Sequence, residues 1–151
     1  MIMNHNHDVE NELRSLLRGQ KMRVTSGRMA VLIALHERRA PMTHEQIMDV
    51  IGETDFDRAS IWRLLSDLAD KGLLRRMDLG DRIWRYELVD DCRDIEASHS
   101  HFLCGSCGLV SCLPPLEVRT RDGRLPEALL RAEFTIRVEG MCERCVAMPI
   151  A

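Results

Sequence analysis

The sequence predicts an α+β protein in two parts, and three observations carry that prediction. Apolar residues recur at helical spacing through residues 9–69. Two short β-type runs then flank Gly80-Asp81. Finally, two Cys-x-x-Cys pairs, Cys104-Gly-Ser-Cys107 and Cys142-Glu-Arg-Cys145, stand in the last third of the chain. A length of 151 residues leaves room for one ordinary domain or two small ones.

The elements follow in order. Val9, Leu13, Leu16 and Leu17 mark a helix over 9–18 that ends near Gly19. Residues 26–37 make a more fully apolar helix, suited to the centre of a small core. Thr43-His-Glu-Gln46 matches a capping box, opening a third helix with Ile47, Val50 and Ile51 inward. A fourth starts at Asp57 or Arg58. Its apolar residues Ile61, Leu64, Leu65, Leu68 and Ala69 share one face, and Gly72 stops it. Strands over 73–78 and 83–88 then close a tight hairpin around Gly80-Asp81.

Helices followed by a two-stranded hairpin are the order of a winged helix-turn-helix, with the last helix placed for the DNA major groove. On this reading residues 1–88 form a winged-helix DNA-binding domain, and the polar stretch 89–98 is a hinge. Residues 99–151 form a small α/β domain. It has strands at His101-Phe-Leu103, Leu109–Leu113 and Phe134–Glu139 and a helix around 126–132. So short a fragment buries little core and needs a structural metal and a dimer partner.

Composition narrows the class. The chain is 45% hydrophobic and 30% charged, which describes a globular protein rather than a disordered one. It carries no apolar run of the ~18 residues a membrane span needs. Its start, Met1-Ile-Met-Asn-His-Asn-His-Asp8, lacks a secretory pattern. A cytoplasmic location is expected, where six cysteines read as metal ligands before disulfides. The net charge of −3 points to no partner. Locally, however, Arg14, Arg18, Lys21, Arg23 and Arg28 occur with no acid between Leu13 and His36, a footprint that a phosphate backbone would meet.

The paired Cys-x-x-Cys motifs supply the four thiolates of a closed tetrahedral zinc site. Cys104, Cys107, Cys142 and Cys145 would thus hold one structural Zn2+ and close the intervening loop around it. A rubredoxin-like iron site or a redox dithiol would use the same residues. A second cluster, Cys92 with His99 and His101, stands upstream. His99 and His101 point to one face if they lie on a strand.

Taken in order, Arg23-Val-Thr-x-x-Arg28, Ala59-Ser-Ile-Trp-Arg63 and a His-x-His followed two residues later by Cys-x-x-Cys resemble the ferric uptake regulator family over roughly residues 12–146. The resemblance implies a homodimeric, metal-dependent DNA-binding repressor: a winged-helix domain, then an α/β dimerisation domain. It assigns the structural zinc to the four knuckle cysteines. Zinc-responsive members place an Asp in the wing, a Cys in the hinge and a His-x-His beyond it, which here are Asp78, Cys92, His99 and His101. Such a mixed N/O/S set suits Zn2+. Drawn from hairpin, hinge and second domain, it would fix the angle between domains and hence the spacing of two recognition helices on a palindromic operator. Cys112 and Glu87 are further oxygen or sulfur donors for that site. Ser60, Trp62 and Arg63 would face DNA, with Arg23 and Arg28 on the backbone or in the minor groove. Trp62 departs from the family's Tyr.

The expected function is zinc-dependent repression of metal uptake genes. Iron, nickel, manganese or peroxide sensing is the alternative within the family, though His44 is displaced from the position of the iron-responsive loop histidine. An enzyme is not expected. A zinc deaminase would need His-x-Glu and Pro-Cys-x-x-Cys, which are missing here, and a dithiol oxidoreductase would need one Cys-x-x-Cys in a βαβ setting.

Overall fold

The computed structural model describes residues 5–52, 56–89, 100–114, 116–117, 119–124, 127 and 137–147. The chain divides into two compact units, Met1–Asp94 and Ile95–Ala151. Fold and class agree with the expectation of an α+β chain with a helical first part.

Unit 1 runs α1 (His5–Gly19), α2 (Ser26–Arg38), β1 (Met42–Thr43), α3 (His44–Ile51), α4 (Arg58–Asp70), β2 (Leu74–Asp78) and β3 (Trp84–Leu88). Its antiparallel sheet has the order β1-β3-β2. Helix α2 buries residues on most of its circumference, Met29, Val31, Leu32 and Leu35 among them, because α1, α3, α4 and β3 all pack on it. From α1 come Leu13 and Leu17, from α4 Ile61, Leu65 and Leu68, and from the sheet Leu74, Tyr86 and Leu88.

Side-chain caps set the helix starts. Thr25 accepts from the Arg28 amide at α2, and Asp57 accepts from the Ser60 amide at 2.6 Å to open α4. At α3 the capping box is complete, with Gln46 N–H donating to Thr43 Oγ1 and Thr43 N–H to Gln46 Oε1. Such a cap contributes about 1 kcal/mol.

Two expectations for this unit need correction. Val50 does not point inward but is 52% exposed. On a helix of eight residues the buried face is set by His44, Ile47 and Ile51, and Val50 lies about 60° to its other side. The hairpin is also looser than a two-residue turn. Five residues, 79–83, join β2 to β3, and Asp78 Oδ1 accepts from the amides of Gly80 (2.8 Å) and Arg82 (3.1 Å). Gly80 and Arg82 have φ of 89° and 62° there. The tip is pinned from below by Arg85, 1% exposed, whose guanidinium donates twice to Asp81, at 2.9 and 2.7 Å.

Unit 2 contains β4 (His101–Cys104), β5 (Val110–Cys112), β6 (Val138–Gly140) and a five-residue helix α5 (Glu143–Ala147). Strand β4 is central, antiparallel to β5 and parallel to β6. The expected strand over 134–139 is described only from residue 137, where β6 begins one residue later. The expected helix around 126–132 falls almost wholly outside the described residues. Among the described residues no helix is long and apolar enough to cross a membrane.

Candidate metal centre and nucleic-acid interface

Strand order builds the metal centre. The parallel register of β4 on β6 sets Cys104 opposite Gly140, and the Gly105 amide donates to the Gly140 carbonyl at 2.9 Å. Two residues after Gly140, the amide of Cys142 then donates to Cys104 Sγ at 3.3 Å. A tight turn over Gly105-Ser106, closed by Gly108 N–H on the Cys104 carbonyl, brings Cys107 round. Helix α5 presents Cys145 from its first turns. The result is four Sγ atoms within 4.8 Å of one another, with Cys107 Sγ and Cys142 Sγ 3.7 Å apart.

Their electrostatics are those of a crowded thiol cluster. Amide donation from Cys107 and then Cys142 holds the Cys104 thiol down at about 6, against the smaller opposing effect of burial. At Cys145 the hydrogen bond from Ser106 lowers the pKa. The surrounding thiols of Cys107, Cys142 and Cys104, with burial, outweigh it and push the value up to about 12. Four negative sulfurs at this spacing repel one another unless a cation sits among them. A donor set of four soft thiolates with one already acidified fits zinc, and binding there releases protons.

The residues expected to form the second, regulatory site are only partly described. Cys92 and His99 lie outside the described residues. His101 opens β4 and stands directly across from Cys112 on β5, both half-buried, so within unit 2 an imidazole and a thiol share one sheet position. Asp78 ends β2 in unit 1, where Oδ1 already accepts two turn amides. Glu87, on β3, pairs with Arg75 at 3.1 Å. His44 is buried at the start of α3, where its Nε2 donates to the Arg58 carbonyl at 3.0 Å and its ring meets Trp62 edge-on at 5.5 Å. It ties α3 to α4, a task for which an apolar-facing histidine is suited.

The expected nucleic-acid contacts centre on α4. Ser60 is half-buried, and Trp62 and Arg63 are exposed. Trp62 does not project freely, since its ring also packs edge-on against Tyr86 of β3 at 6.4 Å. Arg23 is exposed on the loop before α2. Arg28 turns inward: its Nη1 donates to the Arg23 carbonyl at 2.8 Å, and its Nη2 lies 3.6 Å from Asp67. It therefore fixes the segment that carries Arg23.

One feature of this face was not read from the sequence. Between α4 and the hairpin tip runs a groove of about 1030 Å³, lined by Thr43, His44, Glu45, Arg58, Ala59, Trp62, Arg63, Arg82, Ile83 and Trp84. The signal was present in β3: Trp84, Tyr86 and Leu88 alternate on the core face, one aromatic more than the core can cover.

A family model for the ferric uptake regulator family matches residues 19–127. No curated protein matches the chain. Solved structures do. The Helicobacter pylori ferric uptake regulator, described as revealing three functional metal binding sites, is 17% identical over 95% of each chain, with a TM-score of 0.62. A zinc-bound manganese uptake regulator is 20% identical over 86% of this chain and 98% of its own, at 0.65. A zinc uptake regulator complexed with zinc and DNA is 17% identical over 95% and 97%, at 0.55. At these identities the likeness is one of fold.

Proposed function

Because the chain belongs to the ferric uptake regulator family, and is thus a metal-dependent transcription regulator, we propose that it is a zinc-responsive DNA-binding repressor of metal uptake genes acting as a homodimer. The observation that carries this reading is the four-sulfur cluster in unit 2 of a chain whose α4 turns Trp62 and Arg63 outward. The likeness to a zinc uptake regulator complexed with zinc and DNA supports it.

In this account residues 1–88 bind DNA, 89–98 act as hinge and 99–151 dimerise and hold metal. Cys104, Cys107, Cys142 and Cys145 hold a structural Zn2+, which when bound supplies a cross-link between β4 and the start of α5. Asp78, Cys92, His99 and His101 hold the regulatory Zn2+, with Cys112 placed to join His101. Arg63 and Ser60 read base edges in the major groove, Trp62 packs on a thymine methyl or sugar, and Arg23 meets a phosphate from the segment that Arg28 fixes. The DNA-binding part, residues 1–88, carries 14 basic and 14 acidic residues. Several of the arginines are internally paired: Arg14, Arg28, Arg58, Arg75 and Arg85. With so little free positive charge, one protomer holds DNA weakly, and affinity depends on both protomers docking at once. Control of dimer geometry by a ligand with different affinity for the two arrangements is then an effective switch.

The test is DNA binding by the full chain as a function of buffered free metal, using duplexes it selects from a random pool. Zinc should promote binding at lower free concentration than Mn2+ or Fe2+ relative to their ordinary availability, and Cys92→Ser should remove the response while leaving the dimer folded. Normal zinc dependence in Cys92→Ser would refute the regulatory site.

A further inference from the structure

We propose that the wing carries a second base contact: Ile83 and Trp84, together with Trp62 of α4, form an apolar slot that receives the 5-methyl group of a thymine, with Arg82 on the adjoining phosphate. The inference rests on the DNA-binding reading of α4 and goes beyond it, since it assigns recognition to the hairpin.

Three observations support it. First, the slot is apolar where a folded monomer has no use for apolar surface. Trp62, Ile83 and Trp84 are 44%, 45% and 44% exposed and line one groove. Trp84 stands on the face of β3 that also carries Tyr86 and Leu88, but it overhangs the core edge, where the core offers it no further cover. Exposed apolar clusters rimmed by polar groups mark binding sites.

Second, the rim is cationic. Arg58, Arg63 and Arg82 border the groove. Its one lining acid, Glu45, is matched by Arg58 at 3.2 Å. On β2, Arg76 lies over the Trp84 ring, 4.3 Å from its centroid, and keeps that wall upright. Asp78 across from Trp84 is turned to its own loop amides, and Asp81 to Arg85. An apolar slot with guanidinium groups at its edge complements a nucleotide strand, whose phosphates meet the cationic rim while a base edge enters the slot. Third, the thymine methyl is the apolar handle that the major groove offers, and the slot's other wall is the same α4 that reads that groove.

The experiment replaces each thymine of a duplex selected by the wild-type chain with deoxyuridine, one at a time, and measures binding by wild type, Ile83→Ala, Trp84→Ala and Trp84→Phe. Losing one buried methyl should weaken wild type about fourfold at the wing-contacted thymine. There the penalty should vanish in Ile83→Ala and Trp84→Ala and persist in Trp84→Phe, while penalties at thymines facing Trp62 alone stay. Both positions are exposed, so unchanged melting and zinc content should accompany these variants. Penalties unaltered in all three variants, with DNA still selected, would overturn the wing contact alone and assign the slot to another apolar occupant. Failure of the zinc-loaded wild type to select any DNA would overturn the DNA-binding reading together with it.

Discussion

Gly27 sits where the first turn of α2 passes α4, and a Cβ there would meet Leu64 Cδ1 at 2.8 Å and Phe56 Cε1 at 3.2 Å. The Leu64 tip can swing aside, and Ala gains up to about 1 kcal/mol over Gly within a helix. Gly27→Ala is therefore predicted to change the stability of unit 1 by about 1 kcal/mol or less, read from the urea midpoint with unchanged slope. At the hairpin tip, the hydrogen bonds from Arg85 lead the causes that hold the Asp81 carboxyl below its usual value. A depressed folded value means that the pair stabilises the protein above the unfolded aspartate pKa, about 3.9. That stabilisation is lost as pH falls through the lower folded value. The stability gap between wild type and Asp81→Asn should accordingly be present at pH 6 and close towards pH 2. A gap independent of pH would mean that the ion pair is not what holds the tip.

Elements differ in how much of themselves they write into sequence. Helices α2 and α4 were legible from their apolar residues, and α3 because Thr43 and Gln46 spell out the capping box. Thr43→Ala should lower stability by about 1 kcal/mol and speed hydrogen exchange of the Gln46 amide, which donates to that side chain. Other features left weaker traces. Strand β1 is two residues long and exists only because Met42 and Thr43 pair with Tyr86 and Arg85 of a later strand. Helix α5 is a five-residue segment inside the second cysteine knuckle, too short for any periodicity. The side on which α3 buries its stripe, and hence the exposure of Val50, depends on neighbours that no local pattern encodes. At the site, the four cysteines were legible from spacing alone. The inward turn of Arg28 was not, since Asp67, distant in sequence, helps decide it, whereas the overhang of Trp84 left only the extra aromatic of β3 as its trace.

For the molecule as a whole, the chemistry of unit 2 predicts a dependence on metal and pH. A thiol at about 6 beside one at about 12 gives a cluster that must shed protons to hold zinc. Acidification should therefore release zinc, and Cys104→Ser, which removes the sulfur that accepts the Cys142 amide, should unfold unit 2 as judged by zinc loss and protease sensitivity. Structural zinc contributes on the order of 10 kcal/mol in small peptides, ample to decide whether so small a unit folds. Cys92→Ser, by contrast, should leave that unit intact and lose only the metal response.

The central claim, one zinc to hold the fold and another to be sensed, is tested most directly by counting metal per chain by elemental analysis before and after mild chelation, with DNA binding followed on the same samples. The account predicts two zincs falling to one, with the dimer intact and DNA binding lost. A single tightly held zinc that chelation never changes, with DNA binding constant throughout, would contradict it.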